Sequence, residues 1–157
     1  MILKNCMKDV IAIRPSTTVR EAAKLIIERR AGTLPVVDDN ETLVGVVRLP
    51  GILKVFMPNF VSLLDNIDFV ADFGSLEELH FSDIPEIENI TMKKIMEKPV
   101  LVDEECGLLR AFAIMDKYNF MDLLVVNKEG RLVGIASRVD IAAGFLSASM
   151  ESGGALT

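Results

Sequence analysis

Shifting the sequence by 89 positions lays Cys6–Ile52 on Ile95–Ile141 without a gap. Met7 falls on Met96, Ala22 on Ala111, Leu34 on Leu123, and Val36-Val37 on Val125-Val126. Leu43-Val44-Gly45 falls on Leu132-Val133-Gly134 and Ile52 on Ile141, which makes nine identities over 47 positions. Most other positions keep their apolar or polar character. A repeat of fixed spacing restricts the fold more than any local propensity, because each copy has to be one supersecondary unit and the copies have to bury a shared face. A unit of fewer than about 60 residues is marginal by itself, so the two are expected to pack sheet against sheet into one core.

Each copy reads strand, helix, strand, strand, helix, an α/β (α+β) pattern. Val10–Ile13 and Val100–Val102 are short β-branched runs. Thr18-Val-Arg-Glu21 offers a capping box, in which threonine and glutamate satisfy each other's free backbone donors. Val19, Ala22, Ala23, Ile26 and Ile27 then follow at helical spacing, with Arg29, Arg30 and Gly32 suited to the helix end. Leu108, Ala111, Phe112 and Met115 repeat the stripe. LPVVD and LLVVN lead through polar turns into LVGVV and LVGIA, so each copy is expected to contain a hairpin followed by a helix from Arg48 or Ser137. The expected divisions are repeat 1 at 1–54, an insert at 55–94, repeat 2 at 95–148 and a flexible tail at 149–157.

The insert is too long for a structureless connection. Phe60, Leu63, Leu64 and Ile67 make a helical stripe, and Ser75-Leu-Glu-Glu78 is a second possible capping box. Five of the eight phenylalanines, Phe56, Phe60, Phe69, Phe73 and Phe81, fall in or beside it. They either cover the domain's own edge or form a partner or dimer surface rimmed by Asp65, Asp68, Asp72, Glu77 and Glu78. The sequence at the end, SASMESGGALT, has no periodicity and is expected to fray.

Charge and composition exclude several functions. Seventeen basic against twenty-three acidic residues give a net charge of −6, which opposes a phosphate backbone, so nucleic acid is not expected as a partner. No apolar run reaches the roughly 18 residues of a membrane span, and MILKNCMKDV carries no signal-peptide core. A cytoplasmic protein without membrane insertion is the expectation. Two cysteines a hundred residues apart and a single histidine, His80, assemble neither a zinc site nor a CxxC redox motif, so buried thiols are expected. No nucleophile with a base and no catalytic carboxylate pair emerges, which argues against an enzyme.

The copies differ where chemistry is most readable. LVGIASRVDI carries Ser137 and Asp140 where LVGVVRLPGI carries Arg48 and Gly51. Ser-x-x-Asp at a helix start resembles a capping box that needs no ligand; a ligand role is the other reading, and the two are compatible. Pro50 suits the first turn of the helix that lacks this device.

The order of apolar strand, capped helix, LPVVD, turn, LVG and Ser-x-x-Asp resembles the CBS domain, named for cystathionine β-synthase, as a tandem pair over residues 6–54 and 95–146. The resemblance implies two units related by a pseudo-twofold axis, with two clefts between them that take adenosine-containing ligands. It implies Asp140 as the acceptor for the two ribose hydroxyls and Ser137 as a donor to phosphate. By the same analogy Cys6, Val10, Ile11 and Ala31 line an adenine slot opposite Ile135. Where phosphate-binding members resembling the AMP-activated kinase regulatory subunit have histidine and arginine, this chain has Met121 and Asp122. The carboxylate opposes polyphosphate, and Arg48 or Arg138 is the candidate source of compensating charge. The function implied is a regulatory module sensing AMP, ADP, ATP or an S-adenosyl compound and signalling to a protein partner, with no cofactor required. The alternative is a ligand-free dimerisation or interaction module. Members of the family commonly form flat dimers through their helices, so a homodimer is expected.

Overall fold

The structure is a computed structural model that describes residues 1–57 and 80–152. The insert's Phe60, Phe69 and Phe73, its 60–67 stripe, its acidic rim and the Ser75–Glu78 box lie outside the described residues. So do residues 153–157 of the tail.

Repeat 1 builds α1 (Val19–Arg29), β1 (Thr33–Val37), β2 (Leu43–Arg48) and α2 (Leu49–Phe56). After α3 (Met92–Ile95), repeat 2 builds β3 (Val102–Asp103), α4 (Leu108–Tyr118), β4 (Asp122–Val126), β5 (Leu132–Ser137) and α5 (Arg138–Ser152). The expected capping box starts α1. The Glu21 amide donates to Thr18 Oγ1 at 3.2 Å, and the Thr18 amide donates to Glu21 Oε2 at 2.9 Å. Both helices that precede the hairpins end on a left-handed residue, Arg30 (φ 52°) and Asn119 (φ 54°), at equivalent places in the repeat.

The two hairpins match in register and in fault. β1 pairs antiparallel with β2 from Thr33↔Arg48, and β4 with β5 from Asp122↔Ser137, with a register shift at Val36/Val37 and at Val125/Val126. The strands expected before each helix are shorter than their β-branched runs. Repeat 1 keeps a single parallel bridge, Ile13 to Val36, and repeat 2 keeps the two residues of β3.

The segment leading into each copy packs on the other copy. Lys8 bridges antiparallel to Ile135 of β5, and Glu97 bridges to Val46 of β2. Leu3, fully buried, lies in the repeat 2 core with Val102, Leu108, Met115 and Ile141, whereas Met92 lies in the repeat 1 core with Ile13, Val19, Leu34 and Ile52. Leu3 and Met92 are themselves 89 positions apart. A third cluster, Val37, Leu43, Val46, Leu124 and Val126, joins the two hairpins, so the sheets meet in a common core as expected.

The exchange explains the glycine of each LVG run. A Cβ on Gly134 would stand 2.8 Å from Met7 Sδ and 2.9 Å from the Lys8 carbonyl, and one on Gly45 would stand 2.6 Å from Met96 Sδ. At Gly134, where the contact includes backbone, only a residue without a side chain lets the incoming segment lie this close.

Three further details depart from the periodicity. Ile27 and Phe112 are exposed although they belong to the apolar stripes, because each stripe is wider than the face its neighbours cover. Leu25, off the α1 stripe, packs beside the core instead. Residues 149–152, expected in the tail, continue α5, where the Ser149 hydroxyl donates to the Phe145 carbonyl at 2.9 Å. Phe56 and Phe81 meet edge to face, centroids 5.2 Å apart, against the repeat 1 core. Both cysteines are half-buried, and burial raises each thiol above its usual value.

Candidate functional site

A cleft of about 540 Å³ opens between the repeats, within the roughly 300–1,000 Å³ typical of small-molecule sites. Ser137 and Asp140 border it from the β5–α5 junction, with Ile135 beside them on β5. Val10, Ile11, Ala31 and Asp122 line the same cleft. Seven of the nine residues singled out from sequence therefore come together. Cys6 and Met121 do not line it. Cys6 packs against the repeat 2 core. Met121 is 67% exposed, and its backbone carbonyl accepts from the Arg138 amide at 3.0 Å.

The Ser137–Asp140 pair forms the reciprocal cap. Asp140 Oδ2 accepts from the Ser137 amide at 3.0 Å and the Ser137 hydroxyl at 2.7 Å, and the Asp140 amide donates to Ser137 Oγ at 3.1 Å. The other oxygen, Oδ1, faces Lys8 Nζ at 2.5 Å. Burial pushes the Asp140 carboxyl up, but the hydrogen bonds from Lys8 and Ser137 outweigh it and hold the group below its usual value. The carboxylate is ionised and oriented at the rim of the cleft.

Sequence reading missed the cations. Lys8, Arg29 and Arg30 all line the cleft. Arg29 and Arg30 were legible only as helix-end charges, and Lys8 reaches the site through strand exchange. The two candidate charges, by contrast, are committed elsewhere. Arg138 donates to the carbonyls of Phe120 (2.7 Å) and Met115 (3.1 Å), where it satisfies the end of α4. Arg48 stacks on the Phe120 ring, 4.0 Å from its centroid, with Nη1 3.5 Å from Glu97 Oε2. The Asp122 carboxylate is not free to face a ligand unaided, because its Oδ2 accepts from the Thr33 hydroxyl at 3.0 Å. Thr33 and Asp122 are equivalent positions of the repeat that meet across the pseudo-twofold axis.

The equivalent surroundings of the second cleft are built differently. Ala31 and Arg29 of the open cleft correspond to Phe120 and Tyr118, whose rings stack at 5.3 Å. The Arg48 guanidinium lies on the other ring of this stack, Phe120, and Gly51 supplies no carboxylate. Burial lowers the Arg48 pKa, with Glu97 and Asp122 acting in the opposite direction.

Among the described residues, no three His, Cys, Asp or Glu side chains are grouped to hold a metal ion, and no helix is long and apolar enough to cross a membrane.

The CBS domain family description matches residues 3–58 and 89–147. The chain is 29% identical over 151 residues to the CBS domain-containing protein CBSX2, chloroplastic, of Arabidopsis thaliana, covering 92% of this chain and 62% of that protein. It is 31% identical over 136 residues to the uncharacterized protein MJ1232 of Methanocaldococcus jannaschii, covering 86% of this chain and 36% of that protein. The crystal structure of CBSX2 in complex with AMP superposes with a TM-score of 0.69 at 26% identity, covering 94% of this chain and 98% of that one. The chain thus spans less than two thirds of the length of these curated relatives.

Proposed function

Since the chain belongs to the CBS-domain family, as a tandem pair of CBS units, we propose that it is a non-catalytic regulatory module that binds an adenosine-containing ligand in the cleft beside Asp140 and signals its occupancy to a partner. The observation that carries this reading is the ionised Asp140 carboxylate at the rim of an open cleft. A carboxylate suits a vicinal diol, since it offers acceptors to two neighbouring hydroxyl donors. Ala31 and Ile11 give a flat base a small apolar wall, and Ser137 stands where a helix N-terminus favours an anion. AMP is the first ligand to try, because CBSX2 has been crystallised with it.

Calorimetry on the whole chain tests the reading. One AMP or adenosine per chain is expected, because the second cleft lacks the aspartate and carries the Arg48–Phe120 stack. Asp140→Ala should weaken binding roughly tenfold to a hundredfold, the loss of one charge-assisted contact. Two equivalent sites per chain, or an unchanged Kd in Asp140→Ala, would count against it.

A ligand-free dimerisation module is the second reading. It is favoured by the fact that both Asp140 oxygens already have partners within the chain. In either case we expect a homodimer, with the apolar surface of α4 and α5 as its contact. A cytoplasmic location belongs to the same proposal, as does a protein partner at the insert's phenylalanines.

A further inference from the structure

The pseudo-twofold gives each cleft residue a counterpart; the charge is inverted at one of them, and the turn facing it carries its own charge at a different position in each copy. Lys8 corresponds to Glu97, and the Ser137–Asp140 turn corresponds to the Arg48–Gly51 turn. The pairs Lys8–Asp140 and Glu97–Arg48 therefore join the same two elements with opposite polarity. In the second cleft the cation sits on the hairpin side and is held against an aromatic ring. In the open cleft the cation sits on the incoming strand, and its side chain is 70% exposed.

The Lys8 backbone is anchored on β5 while its side chain is exposed. Its amide donates to the Ile135 carbonyl at 2.8 Å, and its carbonyl accepts from the Ile135 amide at 2.9 Å. Nζ holds Asp140 Oδ1, the oxygen left over once Oδ2 is committed to the cap. A ribose diol bound as proposed above uses that same oxygen, and the ammonium competes with it there. Where the ammonium goes decides the cost. Beside a 5′-phosphate it exchanges one anion for another; beside an uncharged nucleoside it gains only water; beside a sulfonium it meets a like charge. Arg29 and Arg30 add to the positive side of the balance, since neither forms an ion pair among the described residues and both line the cleft.

We propose that Lys8 is the specificity-determining residue of this cleft, neutralising Asp140 in the empty state and passing to the ligand's 5′ anionic group on binding, so that the site selects nucleoside 5′-phosphates over neutral nucleosides and sulfonium compounds. The inference rests on the adenosyl-ligand reading and adds to it which ligands are refused.

The test is calorimetry of the full chain with AMP, adenosine and S-adenosylmethionine against wild type, Lys8→Met and Lys8→Arg. Wild type should bind AMP about tenfold or more tighter than the other two, the scale of one charge-assisted contact. Lys8→Met should weaken AMP by about that factor while adenosine binds as well or better, because nothing then competes for Asp140. Lys8→Arg should keep the wild-type order. Equal weakening of AMP and adenosine in Lys8→Met would mean that Lys8 only orders Asp140, and no change in either would mean that it does nothing; both results overturn the inference and leave the adenosyl reading standing. A wild-type chain that binds none of the three overturns both.

Discussion

Asp140 carries a structural and a proposed binding duty on one carboxylate, and its two oxygens separate them. Oδ2 closes the α5 cap with Ser137, and Oδ1 faces Lys8 and the cleft. Asp140→Ala should therefore cost about 1 kcal/mol of folding stability through the cap, measured by urea denaturation without ligand, in addition to the loss of affinity. Stability should also follow pH through this residue. Its folded-state pKa is lowered relative to about 3.9 for an unfolded aspartate. Its ionised form thus stabilises the fold fully above that value, and the contribution fades as pH falls through the lowered folded pKa. The stability gap between wild type and Asp140→Asn should stay constant from neutral pH to about 4 and narrow below it; a gap that widens in acid would contradict the geometry. Ser-x-x-Asp was legible in sequence because the reciprocal cap needs that three-residue spacing. Lys8 was not, because no local pattern brings it 132 positions along the chain to Asp140.

At the scale of elements, the exchanged strands are what build the cleft, and the two LVG glycines are where they are held. The contacts at the glycines are not equivalent. At Gly134 an added Cβ would meet the Lys8 carbonyl, which is fixed backbone, as well as Met7 Sδ; at Gly45 all three nearest atoms belong to the flexible Met96 side chain. Gly134→Ala should therefore destabilise by about 1–3 kcal/mol, as overpacking does, and should weaken ligand binding because it pushes Lys8 away from Asp140. Gly45→Ala should cost less, since methionine repacks readily, and should leave binding alone. Thermal melts paired with titration decide this; equal costs at both sites would show that the strand, not the side chain, yields. The hairpins and capped helix were legible in the residues, since turn chemistry and apolar alternation are local. The short first strands were not, because Val10–Ile13 is β-prone yet its partners are supplied only by tertiary packing.

For the whole molecule, the 89-residue offset was the most informative feature, because it gave each residue of one copy a counterpart in the other; Thr33 and Asp122 are one such pair, and the structure brings them together. The offset did not disclose that Leu3 and Met92 each complete the opposite core, since two buried apolar residues look alike whichever core they enter. The different build of the second cleft was half legible. Arg48 and Gly51 marked the difference between the copies, but the Tyr118–Phe120 stack stands on residues that no motif singles out. The same symmetry leaves apolar side chains on helices of both repeats, with Leu53 50%, Leu109 67%, Phe145 42% and Leu146 58% exposed. Leu109 and Phe145 border one groove between α4 and α5, and a stable homodimer covering this side would bury on the order of 1,200 Å² or more. Sedimentation at micromolar concentration should therefore show a dimer, and Leu109→Glu with Leu146→Glu should shift it to monomer, because a charge at the centre of an apolar contact is buried without a partner. The cleft at Asp140 is formed within one chain, so the dissociated variant should still bind one AMP per chain with little change in Kd. Retained dimer in the double variant would move the interface to another face, and loss of binding together with the dimer would mean that the cleft depends on the neighbouring copy.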